Sequence, residues 1–434
     1  MLTADAVAAR VEPLADDAQR LNKLLIRKLM PLLVIVYVIS FLDRTNIALA
    51  KASMGIDVGL SAASYGLGAG LFFLTYALFE VPSNLIMHKV GARFWITRIM
   101  ITWGLLSAGM AFVQGETSFY VMRLLLGVAE AGLFPGVMLY LTYWFDREQR
   151  ARATGYFLLG VCVANILSGP LGGALLQMDG LMGLHGWQWL FIIEGLPTLA
   201  LAYVVWKTLP DGPGSAPWLT LEERQRLQAR LDAEQGSGAS QHRFTEMLRD
   251  PQIWLTIAVY FCHQITIYTV IFFLPGIIAT YASLSPLEIG ALNSVPWVAA
   301  ALGAAILPRL ATTPQRCRRM LFIGLLTMSA GLVVAAMSNS FIGLIGFSLT
   351  AFMLFVVQSV LFIFPSSRLS GTALAGGLAF VTTCGLFGGF FGPSMMGLIE
   401  QATGSTHNGL LLIAGLLVVA ALISTRLRQG HEQA

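Results

Sequence analysis

Twelve apolar runs, each long enough to cross a bilayer as a helix, constrain this chain more than any other feature. About 20 helical residues span the roughly 30 Å of hydrocarbon. Windows of that length fall at 31–50, 65–87, 95–115, 119–144, 153–178, 187–206, 252–282, 286–310, 320–338, 341–365, 371–398 and 408–426. With 56% hydrophobic and only 12% charged residues, a set of soluble domains is excluded. The expectation is an all-α polytopic membrane protein of twelve transmembrane helices.

An even number of spans puts both termini on one side, and the basic residues say which. Placing the N-terminus in the cytoplasm puts 24 of the 27 Lys and Arg residues in or beside cytoplasmic segments. The remaining three are Lys51 in an outer loop and Arg44 and Arg123 within spans. The positive-inside rule therefore predicts both termini cytoplasmic. The first 29 residues carry nine charges and no apolar stretch, so a cleavable signal is not expected.

The longest polar stretch, 207–250, divides six spans from six. It opens on the breakers Pro210-Asp211-Gly212-Pro213-Gly214. It continues with Thr220 followed three residues later by Glu223, a capping box for a short helix with Leu227 and Leu231 on one face. The expected organisation is a tail at 1–29, a six-helix bundle at 30–206, a linker at 207–250, a second bundle at 251–427 and a tail at 428–434.

A weak repeat supports that division. Span five carries Gly169-Pro170-Leu171-Gly172-Gly173, and span eleven carries Gly388-Gly389-Phe390-Phe391-Gly392-Pro393. Small residues let helix backbones approach and Pro permits a bend, as suits a moving seam between two bundles. The four cysteines have neither paired nor metal-ligand spacing, so no disulfide framework, metal or cofactor is expected.

Six charged residues fall inside spans and away from their ends: Asp43, Arg44, Glu80, Arg123, Glu130 and Glu194, all in the first half. Each costs about 2.5–3.5 kcal/mol at a helix centre on insertion scales, so each is a functional candidate. Arg123 and Glu130 lie seven residues apart, on nearly one face but about 10 Å apart along the axis, with Gly127 between them. Asp43 and Arg44 point about 100° apart, so each needs a partner elsewhere. Helix one against helix four is the economical pairing. Four acids against two arginines leave two carboxylates without a cation, and such groups are candidates to take up protons. Glu80, near Pro82 and the turn after span two, reads as structural. Glu194 is open between structural and functional roles. In the second half only His263, between Cys262 and Gln264, adds an ionisable group. The turn carrying His88, Lys89, Gly91 and Arg93 reads as a gate latch.

These features together resemble the major facilitator superfamily. Phe41-Leu42-Asp43-Arg44-Thr45-Asn46-Ile47, Phe79-Glu80-Val81-Pro82-Ser83-Asn84, and Arg123, Gly127, Glu130 and Pro135 in their spacing narrow the resemblance to its anion:cation symporter branch. So do the stretch from Gly186 to Glu194 and Pro197, and Leu369-Ser370-Gly371-Thr372. The resemblance implies import of organic anions such as sugar acids, tartrate, phthalate or hydroxyphenylacetate, with protons, by a multi-pass protein of the bacterial inner membrane. It makes Arg44 the carboxylate-binding group, Asp43 and Glu130 the protonatable pair, and Arg123 the partner that senses Glu130. Tyr76 would line the cavity, and His263 falls where vesicular relatives place a cationic group.

Three departures accompany it. His88 stands where the family's turn usually has an acid. The second-half counterpart from Pro308 to Pro314 has no acid. Thr382 and Leu386 stand where sugar-acid members usually show two asparagines. With Thr382 and Thr383 as the polar groups there, the wall of span eleven is mostly apolar. A small or aromatic carboxylate is therefore expected over a sugar acid, with a sugar-acid symporter the first alternative and a proton-coupled exporter the second. Sequence leaves proton and sodium coupling both open, gives no sign of nucleic-acid binding or of an enzyme's motifs, and suggests a monomer in the lipid bilayer.

Overall fold

Helix ends in this chain follow from caps that the sequence supplies. Ser61 accepts a hydrogen bond from Ser64 N at 3.1 Å, Asp146 from Gln149 N at 2.9 Å, and Asp250 from Gln252 N at 2.9 Å. Ser285 and Glu288 form a reciprocal capping box ahead of Pro286. Each satisfies amide groups that a helix leaves orphaned at its start.

The computed structural model describes residues 4–236, 247–338, 341–369 and 371–430. The extreme ends of both expected tails, Arg243 of the linker and Ser370 lie outside the described residues. In chain order the helices are α1 (Ala4–Val58), α2 (Ala62–Val90), α3 (Ala92–Gly109), α4 (Gly115–Glu130), α5 (Leu133–Thr142), α6 (Arg147–Leu176), α7 (Gly186–Thr208) and α8 (Leu221–Gly236). The second half holds α9 (Pro251–Ile278), α10 (Pro286–Ile306), α11 (Pro314–Ala336), α12 (Phe341–Leu361), α13 (Ile363–Arg368), α14 (Gly371–Thr403) and α15 (His407–Ser424). Among the described residues, twelve spans are long and apolar enough to cross a membrane, α4 with α5 and α12 with α13 each forming one. Leu78, Val81, Leu85, Leu105, Ile345 and Leu422 stand exposed on the outside, where lipid replaces water as the solvent.

Two differences from the expected spans have clear causes. α1 runs on to Val58 rather than stopping near residue 50, because its stop signal is Gly59 at φ +75°, not Lys51. The fourth span is not continuous: it breaks at Ala131 and Gly132, the latter at φ +90°. Pro135 has no N–H to give to the carbonyl of Ala131, four residues back. Ser83 Oγ supplies that donor instead, at 2.8 Å. Glu130 is thus the last residue of α4, at a break inside the membrane.

Glycines set how closely the two halves meet. A Cβ on Gly66 of α2 would lie 2.4 Å from the carbonyl oxygen of Pro393 in α14, and one on Gly169 of α6 would lie 2.0 Å from that of Gly290 in α10. These are backbone-to-backbone seams open only to glycine. Pro170 follows on the same helix, half-buried. Gly392 differs from the expectation for the seam: it faces Ile265 of α9 within its own half, while Pro393 beside it meets α2. At the end of the molecule where α1 stops, Lys51 Nζ donates to Glu400 Oε2 at 2.6 Å across the halves.

The linker helix α8 begins at the expected box, with Thr220 N donating to Glu223 Oε2 at 2.9 Å and Leu227 and Leu231 buried. Arg230 ties it to Asp146.

Candidate functional site

Arg44 leaves α1 toward the centre of the first half and forms an ion pair with Glu130 at the end of α4. Both are almost wholly buried, at 6% and 1% exposure. The guanidinium carbon lies 4.7 Å from the ring centre of Phe41, 5.3 Å from Phe72 and 5.2 Å from Tyr76. Aromatic faces attract a cation electrostatically, so the charge is held by rings and by one carboxylate. Tyr268 of α9 faces the same guanidinium from the second half. Among the described residues, Arg44 Nε has no hydrogen-bond partner.

Arg123 is equally buried but makes no ion pair with Glu130. Its Nε donates to the carbonyl of Gly68 at 3.1 Å and an Nη to that of Ala69 at 3.3 Å, and its guanidinium lies 4.9 Å from Phe72. The direct partner of Glu130 is therefore Arg44. A seven-residue separation along one helix leaves too long a gap, whereas α1 passes beside the end of α4. Arg123 still acts on Glu130 through space.

Asp43, one residue before Arg44, turns the other way. It accepts from Trp103 Nε1 at 2.5 Å, Ser107 Oγ at 2.8 Å and Thr198 Oγ1 at 3.3 Å. The 100° step between neighbours divides them as expected, so Asp43 and Glu130 are not in contact.

Glu80 lies within α2, ten residues before its end at Val90. It is buried one helical turn beyond Tyr76 and accepts from Thr383 Oγ1 of α14 at 3.1 Å, joining the halves. Thr382 bonds back to the carbonyls of Leu378 and Ala379. His263 is wholly buried, with Nε2 at 2.9 Å from the carbonyl oxygen of Leu354 and Nδ1 at 3.3 Å from Gln264 Oε1. Its ring packs inside the second half.

At the turn after α2, Gly91 adopts φ +92°. Arg93 N donates to Asp211 Oδ1 at 2.9 Å and Arg93 Nε to the carbonyl of Leu209 at 2.7 Å. Lys89 is exposed, and His88 Nδ1 lies 3.2 Å from the Tyr143 hydroxyl. The turn clasps the start of the linker, an acid the sequence places 118 residues away.

Sequence reasoning did not single out Tyr268, Trp103, Ser107 or Thr198. A tyrosine or serine in an apolar helix carries no signal of its own until the facing helix is known.

Charged groups enclosed within a bundle of twelve apolar spans are what a membrane transport protein requires. A model of the Major Facilitator Superfamily matches residues 33–393. A protein of Agrobacterium vitis whose name proposes tartrate transport is 43% identical over 96% of this chain and 93% of its own. A quinolone resistance transporter of Acinetobacter baumannii is 38% identical over 92% of each chain. The solved structure of a D-xylose-proton symporter shares the fold at a TM-score of 0.74 and 14% identity, covering 93% of this chain and 98% of that one. The chain belongs to the Major Facilitator Superfamily and is a multi-pass membrane transporter.

Proposed function

We propose that this protein imports a small organic carboxylate together with protons, by alternating access, with both termini in the cytoplasm. The observation that carries this reading is Arg44: a buried guanidinium with one arm on Glu130 and its Nε unpartnered among the described residues. A planar fork grips a carboxylate through two parallel hydrogen bonds and stays charged at any working pH. An anion arriving at Arg44 competes with Glu130 for it, and protonation of Glu130 frees the arm. Binding and protonation are thereby linked.

Bringing an anion inward against about 100 mV costs about 2.3 kcal/mol per charge, which each accompanying proton offsets. Phe41, Phe72, Tyr76 and Tyr268 around Arg44 suit a compact or aromatic body, with Thr382 and Thr383 as flanking groups on α14. The relative named for tartrate supports a small carboxylate. With the termini inside, Lys51–Glu400 and the glycine seams close the outer end. Glu80 with Thr383, and the turn of Lys89, Gly91 and Arg93 on Asp211, act as gating contacts. The molecule works as a monomer coupled to protons.

The test is uptake of labelled tartrate, phthalate, hydroxyphenylacetate and gluconate into proteoliposomes under an imposed pH gradient. Accumulation above equilibrium supports the reading; a requirement for sodium, or best competition by gluconate, overturns the corresponding part. Export is the second reading, favoured by the relative named for quinolone resistance. It predicts that a quinolone moves outward in exchange for protons moving inward and that the carboxylates do not accumulate.

A further inference from the structure

About 100° around α1 from Arg44, Asp43 is buried and Glu194 of α7 is partly buried with its Oε2 enclosed. Glu194 of α7 lies near enough to Asp43 for the two charges to act on each other, and Asn46 stands beside the Glu194 carboxyl. Asp43 receives three donors, from Trp103 and Ser107 of α3 and Thr198 of α7. Glu130 of α4 acts on it from farther off. None of these groups is basic. Among the described residues, Glu194 Oε2 and both amide atoms of Asn46 make no hydrogen bond of ordinary geometry, and Asn46 is only 1% exposed.

Two neighbouring carboxylates without a cation cannot both stay ionised in a low dielectric. The donors decide between them: Trp103, Ser107 and Thr198 all bond Asp43, which suits the charged form, whereas Glu194 has only the Asn46 amide beside it and its Oε2 is unbonded among the described residues. A protonated Glu194 would donate to Asn46 Oδ1 and accept from its Nδ2–H, satisfying the orphaned groups of both side chains at once.

We propose that Asp43 and Glu194, with Asn46, form a second proton-binding site, in which Glu194 holds the proton and Asp43 the charge, separate from the Arg44–Glu130 pair. The inference rests on the proton-coupled reading for its purpose but not for its existence. The site gives the first half a proton whose binding does not compete with substrate for the arginine.

The test is infrared spectroscopy of the substrate-free protein in lipid nanodiscs, titrated with acid and followed in the band of protonated carboxyl groups. Glu194→Gln should remove one component and move the midpoint of the Asp43 component by about one pH unit or more, because coupled acids titrate as a pair. Glu130→Gln should leave both components present and move the Asp43 midpoint less than Glu194→Gln does. Asn46→Leu, which keeps both acids, should shift the frequency of the Glu194 component, and it serves if Glu194→Gln does not fold. A component indifferent to Glu194→Gln and Asn46→Leu overturns the site, as does its displacement when sodium replaces potassium at constant pH. Anion accumulation is measured with the same preparations in vesicles. Failure to accumulate with the Glu194 component intact rejects the import reading alone, and accumulation without that component rejects the second site alone.

Discussion

Arg44 and Glu130, 86 residues apart, meet in a buried ion pair between α1 and the end of α4, while Asp43 beside Arg44 faces α3 and α7 instead. Truncating one partner of such a pair leaves the other charge buried and uncompensated. The pair is therefore responsive to whatever neutralises Glu130 or competes for Arg44, and the first two expectations concern those two events.

Arg44→Lys keeps the charge and loses the planar fork and its fit among Phe41, Phe72 and Tyr76. Carboxylate affinity is expected to fall about 10- to 100-fold, the equivalent of about 1.5–3 kcal/mol for a charged hydrogen bond. Binding to the purified protein by calorimetry checks it; an unchanged Kd removes Arg44 from the site.

Glu130→Gln replaces the acid with an amide that mimics its protonated form. Uphill accumulation under a pH gradient should be lost while exchange between equal pools of substrate persists. The sign follows from the linkage: in the native protein, acid outside loads Glu130 and drives uptake, so uptake rises as external pH falls, and the variant should be flat with pH. Loss of exchange as well, in a folded protein, assigns Glu130 a structural role.

Gly132→Ala tests the break in the fourth span. Its φ of +90° and a Cβ 2.1 Å from Ser83 Oγ leave no room for a methyl group, and the strain should cost about 1–3 kcal/mol. A lower thermal midpoint in detergent is the expected readout, and Ser83→Ala should weaken the same element by removing the donor to Ala131.

Gly290→Val tests the seam between α6 and α10. A Cβ there would sit 2.0 Å from the carbonyl oxygen of Gly169, so the halves cannot close at that place. Transport should drop at least about tenfold, as expected for a backbone contact that tolerates only small residues. Each half should still fold, which the yield and monodispersity of the purified protein report.

Tyr268→Phe removes the only hydroxyl among the groups described above that reaches Arg44 from the second half. KM is expected to rise several-fold with the maximal rate less affected, since the aromatic face remains. Uptake kinetics in proteoliposomes decide it.

The number of spans, the caps and the presence of six charges inside them were legible in the sequence. Each is a local property: apolar length is set by bilayer thickness, and a charge inside a span is costly wherever the helix packs. The helix-one to helix-four pairing was legible too, because α1 and α4 each carry a charge that its own helix cannot neutralise.

Which charge meets which was decided only by tertiary structure. Arg123 and Glu130 share a stripe on one helix, yet Glu130 pairs with Arg44, because the break at Gly132 and the approach of α1 place those atoms together. Gly392 and Pro393 are adjacent, but one faces its own half and the other the seam, a rotation about the helix axis that the pattern of glycines does not encode. Glu80 reads as structural from its place near Pro82 and the turn, and becomes a bridge between halves only once α14 lies against α2. Sequence determined what each helix must bury, since that depends on the chain and its solvent; structure decided against what, since that depends on the relative rotation and translation of helices distant in the chain.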